Sequence, residues 1–299
     1  MPHIATPENS LAPHTVHSQP INATAYRRVL TLIAIKLLKR VRKRSGIVLF
    51  LSDKICVKYG SYTTLAEAST MQFIAKHTSI PVPRVYCAFQ HKNRTYIVME
   101  RIPGESISNG WLKRLEPVRA RMLEQLKRMI EDMRRILPPE GVGVANVDGG
   151  PLFDCRVPGP SNSFGPFNTI HDFHQYLRGG LDGGPQHEPE FNKFVSQQDE
   201  AWPAPVFTHG DLSSLNILAS GDRIVGIVDW ESAGWYPSYW EYTTAWHVNP
   251  YNEFWRSEVD KFLTYAQRAG NGKASTQILR RFLMRQHQIS TISALYLPR

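Results

Sequence analysis

The chain has 299 residues, of which 42% are hydrophobic and 20% are charged. These proportions are typical of a globular protein with one or two packed domains, and they exclude a disordered chain. Cys56, Cys87 and Cys155 lie far apart without a C-x-x-C pair, so the sequence indicates neither a zinc site nor a disulfide framework. We therefore expect a reducing, cytoplasmic setting.

The net charge of +9 is concentrated near the amino terminus. Residues 1–25 are polar and rich in Pro, Ser, Thr and His, which predicts a flexible tail. Residues 26–45 contain eight basic residues and no acidic residue, so the rest of the chain is nearly neutral. A nucleic-acid partner is therefore not expected. The longest apolar run, Val29–Ile35, is far shorter than the roughly 20 residues that cross a bilayer, so no transmembrane helix is expected.

The basic segment 26–45 also predicts an amphipathic helix. An apolar stripe recurs there at steps of three and four residues: Leu30, Ile33, Leu37, Leu38 and Val41. We expect this helix to pack on the domain that follows, with its cationic face in solvent. The alternative is attachment to an anionic membrane surface or to an acidic partner.

Residues 46–102 predict a small, mostly-β lobe. Four apolar, β-favouring runs predict strands, and these are residues 46–51, 55–59, 85–89 and 96–99. Between them, Thr64 lies three residues before Glu67, which predicts a capping box at the start of a helix over residues 63–76.

Residues 103–299 predict a larger, mostly-α lobe. Ile102-Pro103-Gly104-Glu105 has the character of a linker between the lobes. After it, apolar residues at helical spacing predict a helix over residues 118–137. Residues 142–166 and 179–189 are rich in Gly and Pro and predict long loops, which are often functional. The expected fold class is therefore α+β, with two lobes.

Two neighbouring strands of the second lobe are followed by residues that could perform chemistry. Asp211 and Asn216 lie five residues apart on one predicted loop, and Asp229 follows the predicted buried strand 224–228. Carboxylate and amide oxygens suit Mg²⁺, and Asn216 and Asp229 would supply them. Asp211 would then be free to accept the proton of an attacking hydroxyl group, so the set predicts magnesium-assisted phosphoryl transfer.

Phosphoryl transfer also requires a cation for the nucleotide phosphates. Lys58 lies in the middle of a predicted strand, where an unpaired ammonium group is costly to bury. Glu67 on the next helix is its natural partner, and a strand Lys paired with a helix Glu is the kinase-type arrangement.

Four segments together resemble the aminoglycoside phosphotransferase family, and its fungal members most: residues 209–216, 229–237, 239–242 and 80–86. The resemblance spans roughly residues 48–246. It implies a bilobal protein-kinase-like fold that binds ATP and Mg²⁺. It also implies catalytic and binding roles for particular residues.

By this resemblance, Asp211 is the catalytic base and His209 orients its loop. Asn216 and Asp229 bind Mg²⁺. Lys58 contacts the nucleotide phosphates and Glu67 orients it. The backbone from Met99 to Ile102, which includes Glu100, holds the adenine. Glu231 and Glu241 either meet a cationic acceptor or are structural, and the aromatic residues after Asp229 are expected to pack beneath the cleft.

The sequence departs from the family upstream of Lys58. Relatives usually have two strands joined by a Gly-containing, phosphate-covering turn, whereas only one strand is predicted here before the strand of Lys58. The leading hypothesis is an ATP- and Mg²⁺-dependent phosphotransferase that moves the γ-phosphoryl group to a hydroxyl of a small molecule. The alternative is a kinase-fold binding or regulatory protein with weak or no catalysis. Because no acidic run is present for a cationic sugar, a metabolite alcohol is an equal alternative to an aminoglycoside as acceptor.

Overall fold

A computed structural model describes residues 17–263, apart from Pro158, Pro160 and residues 247–249. The described chain forms a sheet-rich amino-terminal lobe and a larger carboxy-terminal lobe in which helices dominate, as the sequence predicts. The segments 1–16 and 264–299, which include most of the predicted tail, lie outside the described residues. Within the described part, no helix has the length and apolarity needed to cross a bilayer.

The amino-terminal lobe is built on one antiparallel sheet of five strands. They are β1 (Arg44–Ser45), β2 (Val48–Phe50), β3 (Ile55–Gly60), β4 (Val85–His91) and β5 (Arg94–Glu100), in the order β1-β2-β3-β5-β4. The long strands β3 and β5 form the centre of the sheet and β4 forms one edge, and all three bury side chains on both faces. Val57 is buried on one face and Lys58 on the other.

The prediction of only one strand before the Lys58 strand is wrong. β1 pairs with β2, with Arg44 opposite Leu49 and Ser45 opposite Val48. Gly46 lies in the turn between them at φ +54, a left-handed conformation that favours glycine. Because β1 is only two polar, exposed residues long, it has no alternating apolar pattern by which the sequence could reveal it.

The amino-terminal helix α1 (Ala25–Leu38) ends well before the predicted boundary at residue 45. It packs on the sheet, as expected, but through another face than the predicted stripe. Thr31 and Ile35 are buried, and Ile35 joins a cluster with Val57 and Phe89. Leu37, by contrast, is 69% exposed. The helix carries apolar residues on two sides, so periodicity alone did not identify the packed one.

The approach of α1 to the sheet is set by contacts at its start. Ile21 forms a two-way backbone bridge with Ala88, so part of the predicted tail 1–25 is packed on β4. The Arg27 guanidinium donates to the Tyr86 carbonyl at 3.4 Å. Thr24 caps the helix, accepting from the Arg27 N–H at 3.4 Å. These contacts turn the face of Thr31 and Ile35 toward the sheet.

The helix α2 (Leu65–His77) packs on the opposite face of the sheet. Its first turn differs from the predicted capping box, because the Thr64 side chain makes no cap hydrogen bond. Glu67 instead points into the protein, where it is 1% exposed and bonded to Lys58. A buried ammonium partner therefore outweighs local capping at this residue.

The carboxy-terminal lobe contains helices α3 (Glu116–Arg134), α4 (Ile170–Leu177), α5 (Pro189–Gln198), α6 (Trp240–Trp246) and α7 (Arg256–Phe262). Its short strands are β6 (Glu105–Ser106), β7 (Leu152–Phe153), β8 (Ser163–Phe164), β9 (Val206–Thr208), β10 (Ile217–Ser220), β11 (Arg223–Ile227) and β12 (Gly234–Tyr236). The small sheets are ordered β11-β10-β6, β12-β9 and β7-β8. The start of β10 and the end of β11 lie next to each other in one hairpin. This end of the hairpin contacts the amino-terminal lobe, where the Ile227 N–H donates to the Pro81 carbonyl at 2.8 Å.

The aromatic residues after Asp229 form core structure. Four tryptophans that follow Asp229 are no more than 1% exposed: Trp230, Trp235, Trp240 and Trp255. The Tyr236 and Trp240 rings stack with centroids 5.4 Å apart. Buried aromatic pairs of this kind stabilise a core beyond the area that they bury. The expectation that these residues pack beneath the cleft therefore agrees with their positions.

Candidate active site

The loop from His209 to Asn216 connects β9 to β10 and is held from below by Glu241 of α6. Glu241 is completely buried, and its carboxylate accepts the His209 N–H at 2.6 Å and the Gly210 N–H at 3.3 Å. Gly210 has φ +78, and a Cβ there would lie 2.4 Å from the Ser232 carbonyl oxygen. Only glycine fits at this close approach, so Gly210 and Glu241 together define the path of the loop.

His209 links this loop to the end of β11. Its Nδ1 accepts the Asp211 N–H at 3.2 Å, so the ring proton lies on Nε2, which donates to the Val228 carbonyl at 3.1 Å. The ring packs on Trp230, with centroids 4.4 Å apart. His209 is fully buried and does not line the cleft, so its contacts suit the predicted role of orienting the loop.

Asp211 and Asn216, which the sequence places five residues apart on one loop, are in direct contact. The Asn216 amide NH₂ donates to both the side-chain Oδ2 and the backbone carbonyl of Asp211, each at 2.9 Å. This orientation leaves the Asn216 Oδ1 directed away from Asp211. The Asp211 side chain is 38% exposed, so its carboxylate faces the cleft and is accessible to a substrate.

Asp229 lies two residues after the end of β11 and has the left-handed conformation, with φ +67 and ψ 59. Positive φ is uncommon in residues other than glycine and occurs often at functional sites. A short 3₁₀ helix, Trp230–Ser232, starts at this turn and carries Glu231. The Asp229 and Glu231 side chains are 39% and 28% exposed, so both carboxylates reach the cleft.

Lys58 connects the two lobes through three carboxylates. Its Nζ lies 2.9 Å from Glu67 Oε1, 2.5 Å from Asp229 Oδ1 and 2.8 Å from Glu231 Oε2. The side chain is only 5% exposed, so the ammonium group is desolvated and depends on these partners. Glu67 belongs to the same lobe as Lys58, whereas Asp229 lies 171 positions further along the chain.

The charges around Lys58 are unequal. Burial acts to lower the pKa of Lys58, but the carboxylates of Glu67, Asp229 and Glu231 outweigh it and raise the pKa above its usual value. Burial raises the pKa of Glu67 to about 7, although Lys58 opposes the rise. Burial likewise raises the pKa of Glu231, with Asp229 adding to the effect. Three carboxyl groups thus compete for one ammonium group, and Glu67 Oε2 is buried without a hydrogen bond among the described residues.

The donor atoms on Asn216 and Asp229 fit a magnesium ion. Mg²⁺ is usually bound through one or two carboxylates together with phosphate oxygens and water. Asn216 Oδ1 is left for a cation because the amide NH₂ is occupied by Asp211, and the Asp229 carboxylate is accessible. The described residues contain no cluster of three or more His, Cys, Asp or Glu side chains suited to a metal ion.

The predicted adenine segment joins β5 to the carboxy-terminal lobe. The Glu100 N–H donates to the Arg84 carbonyl and the Arg101 N–H to the Lys54 carbonyl, each at 2.9 Å. The side chain of Ile102 packs directly on β11, where a Cβ at Gly226 would lie 2.4 Å from Ile102 Cδ1. Glu100 and Ile102 therefore lie on the backbone between the lobes, beside the strand that leads to Asp229.

The sequence did not reveal Arg156, which is bonded to the candidate base. The guanidinium Nη1 lies 3.2 Å from Asp211 Oδ1, and Nη2 also contacts the Gly210 carbonyl. Asp154, which is 1% exposed, holds the other side of the group at 2.8 Å. Burial acts to lower the pKa of Arg156, but Asp154 outweighs it, so the group is a permanent cation. The only sequence signal was that Arg156 lies in the predicted loop 142–166.

The two acids left open by the sequence have different places. Glu241 is structural, since it is buried beneath the loop, where burial raises its pKa and His209 opposes the rise. Glu231 lies at the cleft, where its carboxylate accepts a hydrogen bond from Lys58.

The chain is similar to a known enzyme family and to solved structures of phosphotransferases. A family model described as "Phosphotransferase enzyme family" (APH) matches residues 63–281. A crystal structure of a thermostable variant of aminoglycoside phosphotransferase APH(4)-Ia, in ternary complex with AMP-PNP and hygromycin B, superposes with a TM-score of 0.59 at 14% identity. The match covers 88% of this chain and 92% of that one. The streptomycin-ATP complex of APH(2'')-IIa gives a TM-score of 0.53 at 14% identity, covering 91% and 94%. The predicted bilobal protein-kinase-like fold is confirmed.

The curated sequence relatives match over only a small part of their own length. A probable acyl-CoA dehydrogenase IBR3 of Arabidopsis thaliana is 21% identical over 177 residues, covering 55% of this chain and 20% of that protein. A subtelomeric hrmA-associated cluster protein of Aspergillus fumigatus is 35% identical over 80 residues, covering 24% of this chain and 16% of that protein. The chain thus spans a fifth or less of the length of these relatives.

Proposed function

Because the chain belongs to the phosphotransferase enzyme family, we propose that it transfers the γ-phosphoryl group of ATP to a hydroxyl group of a small molecule, with Mg²⁺ as cofactor. The observation that carries the proposal is the contact of Lys58 Nζ with Glu67 at 2.9 Å and with Asp229 at 2.5 Å. This contact brings the phosphate-binding cation of one lobe to the metal-binding carboxylate of the other, which is the arrangement that phosphoryl transfer uses.

Lys58 has the role of holding the nucleotide phosphates. In the structure its ammonium group is shared by three carboxylates. Phosphate oxygens replace Asp229 and Glu231 as its partners when the nucleotide binds, whereas buried Glu67 remains and orients it. Asn216 and Asp229 would hold Mg²⁺, which when bound neutralises charge on the phosphate oxygens.

Asp211 accepts the proton of the acceptor. The hydroxyl oxygen forms a bond to the γ-phosphorus while the bond from this phosphorus to the bridging oxygen of ADP breaks. The hydroxyl proton moves to the Asp211 carboxylate, and no phosphoenzyme forms. Asn216 holds this carboxylate through Oδ2 at 2.9 Å, and His209 fixes the backbone beneath it.

The adenine lies against the segment between the lobes. The Glu100 and Ile102 backbone supplies hydrogen-bonding groups there, and the Ile102 side chain offers an apolar surface. This assignment rests on the position of the segment beside β11 and on the nucleotide complexes of the structural relatives.

Arg156 bears on the nature of the acceptor. It lies 3.2 Å from the base that must meet the acceptor hydroxyl, so a cation stands beside that hydroxyl. Asp154 and Asp211 both pair with this cation, and Asp229 and Glu231 add two further carboxylates to the cleft, so its charge is balanced. We therefore keep neutral, anionic and polycationic alcohols as equal candidates for the acceptor.

The non-catalytic alternative was motivated by the missing strand and turn upstream of Lys58 and by the added basic helix. The strand and the turn are both present, as β1 and the Gly46 turn. The turn also lies close to the Lys58 strand, because the Tyr59 N–H donates to the Ile47 carbonyl at 3.3 Å. A turn at this position can cover the phosphates of a bound nucleotide, which favours the catalytic proposal over the alternative.

The test is phosphorylation of a panel of alcohols by the purified full chain, followed by ³¹P NMR in the presence of Mg-ATP. The panel contains neutral, anionic and polycationic alcohols. We expect Asp211→Asn to lower kcat by about a hundred- to ten-thousand-fold while nucleotide affinity is kept. Asp222→Asn is the matched control, because this carboxylate is exposed and pairs with Arg121 on the surface.

A wild-type rate in Asp211→Asn would contradict the assigned base. Loss of nucleotide affinity in the same variant would instead mean that the carboxylate acts in binding.

A further inference from the structure

One face of α1 presents large apolar side chains to solvent within the described chain. Tyr26 is 71% exposed, Leu30 45%, Ile33 48% and Leu37 69%. These four residues, here called the apolar stripe, follow one another at steps of four, three and four residues and so share one side of the helix. The opposite side carries Ile35, which packs on the sheet. The apolar stripe therefore contributes nothing to the core formed by the described residues.

The apolar stripe is bordered by positive charge that the described fold does not use. The exposed cations are Lys36, Lys39, Arg40, Arg42 and Lys43, here called the basic border. Among the described residues, no ion pair joins any of them to a carboxylate, and the sequence has no acid between Glu8 and Asp53. The other cations of this region have partners: Arg27 and Arg28 donate to backbone carbonyls, and Arg44 lies over the Tyr59 ring.

The apolar stripe and the basic border together limit the kinds of partner that can bind this surface. A nucleic acid would be attracted by the cations but would leave the aliphatic side chains in water. A second copy, placed with the same face against this one, would bring two basic borders together. An anionic membrane surface satisfies both features, because aliphatic and aromatic side chains enter the boundary of headgroups and acyl chains while Lys and Arg meet lipid phosphates and carboxylates.

We propose that the apolar stripe and the basic border dock this protein on an anionic membrane surface. The helix lies in the plane of the interface and does not cross it, in keeping with its 14 residues and the finding that no described helix is suited to span a bilayer. Tyr26 provides an aromatic ring with a polar end, a side chain that favours this boundary.

The docking surface and the active site lie on opposite faces of the sheet. Neighbouring residues of a strand point to opposite faces, so Val57 packs toward α1 whereas Lys58 points to Glu67 and the cleft. Membrane docking through α1 therefore leaves the cleft open to nucleotide and acceptor.

The test is co-sedimentation of the purified full chain with vesicles of phosphatidylcholine alone or mixed with phosphatidylserine. We expect binding to the mixed vesicles that weakens as salt is added, and little binding to phosphatidylcholine alone. Combined Leu30→Ser, Ile33→Ser and Leu37→Ser changes should weaken binding at least about tenfold. Replacing Lys36, Lys39, Arg40 and Lys43 by Gln should weaken it by more than about a hundredfold, since each cation near such a surface contributes roughly fivefold.

Two matched controls test whether the position of the changed residues matters, and not only the number of leucines or cations removed. Leu112→Ser with Leu115→Ser removes leucines that are 70% and 74% exposed on the other lobe. A second control replaces four exposed cations elsewhere by Gln: Lys76, Lys92, Arg94 and Lys113. Both controls should bind vesicles as the wild type does. Thermal unfolding midpoints of all variants should stay close to that of the wild type, because the changed side chains are exposed.

Four results would overturn the proposal. They are no binding to anionic vesicles, equal binding to both vesicle types, unchanged binding of the apolar-stripe variant, and equal losses in the control variants. Sedimentation in the ultracentrifuge decides between occupants: a dimer that the apolar-stripe changes convert to a monomer, without vesicle binding by the wild type, would assign the surface to a second copy. Equal binding to soluble polyglutamate by the wild type and the apolar-stripe variant, with no preference for vesicles, would assign it to an acidic protein.

Discussion

Replacement of Glu241 tests how the catalytic loop is held in place. The Glu241 carboxylate is completely buried and accepts two backbone N–H groups, those of His209 at 2.6 Å and Gly210 at 3.3 Å. Glu241→Ala leaves both N–H groups buried without an acceptor. A buried, unsatisfied donor costs about 1–3 kcal/mol, so the free energy of unfolding should fall by about 2–6 kcal/mol.

Glu241→Gln separates the two hydrogen bonds. Its amide retains one oxygen acceptor, while its NH₂ faces the second N–H group. The free energy of unfolding should therefore fall by about 1–3 kcal/mol, roughly half the loss in Glu241→Ala. The kcat should fall in both variants, because the loop carries both Asp211 and the proposed magnesium ligand Asn216.

The assay is urea unfolding of the wild type and both variants, with the slope of each transition compared to exclude a change in the unfolded state. Glu124→Gln is the control: this acid is 53% exposed, forms a surface pair with Arg128 at 2.9 Å, and should contribute only about 0.3–0.5 kcal/mol. An Ala variant within about 0.5 kcal/mol of the wild type would refute the assigned role.

Three further predictions concern the site itself. Lys58→Met should weaken Mg-ATP binding by about ten- to a hundredfold, because one or more charge-assisted hydrogen bonds to the phosphates are lost. A dissociation constant within twofold of the wild-type value, measured by calorimetric titration, would contradict this. Burial raises the pKa of Glu67 in the folded chain from 4.5 to about 7, so the stability that its neutral form contributes is complete below pH 4.5 and lost as the pH rises through 7. Glu67→Gln does not titrate, so from pH 4.5 to above 7 the wild type should lose up to about 3 kcal/mol relative to the variant, and a difference independent of pH in urea unfolding would count against the shift. Gly210→Ala places a Cβ 2.4 Å from the Ser232 carbonyl oxygen at a φ of +78. It should lower the free energy of unfolding by about 1–3 kcal/mol and remove most of the activity. A fully active variant would contradict the requirement for glycine in this loop.

The sequence predicted the parts of the site that depend on spacing along one segment. Asp211 and Asn216 lie on one loop five residues apart, and Asp229 comes just after the end of its strand. The Lys58–Glu67 pair was also predicted, because a Lys in a buried strand needs a nearby acid. These relations are local or follow from the cost of burying a charge, so they can be read from one sequence.

Other features depend on packing between distant segments. Arg156 reaches Asp211 across 55 positions from a loop without regular structure, and no local pattern identifies it. The strand β1 is too short and too polar to show alternation. In α1, two apolar sides compete, and contacts of Ile21 and Arg27 with β4 decide which one is buried. Tertiary contacts thus decided what periodicity left open.

Thermal unfolding of the full chain with and without Mg-ATP tests the central claim most directly. A ligand at 100 times its dissociation constant stabilises the native state by about 2.7 kcal/mol, so the unfolding midpoint should rise by several degrees with Mg-ATP. Asp229→Ala removes a proposed magnesium ligand and should abolish the rise, whereas Asp222→Asn should keep it. A midpoint that does not move at millimolar Mg-ATP, or a rise that persists in Asp229→Ala, would contradict the proposed nucleotide site.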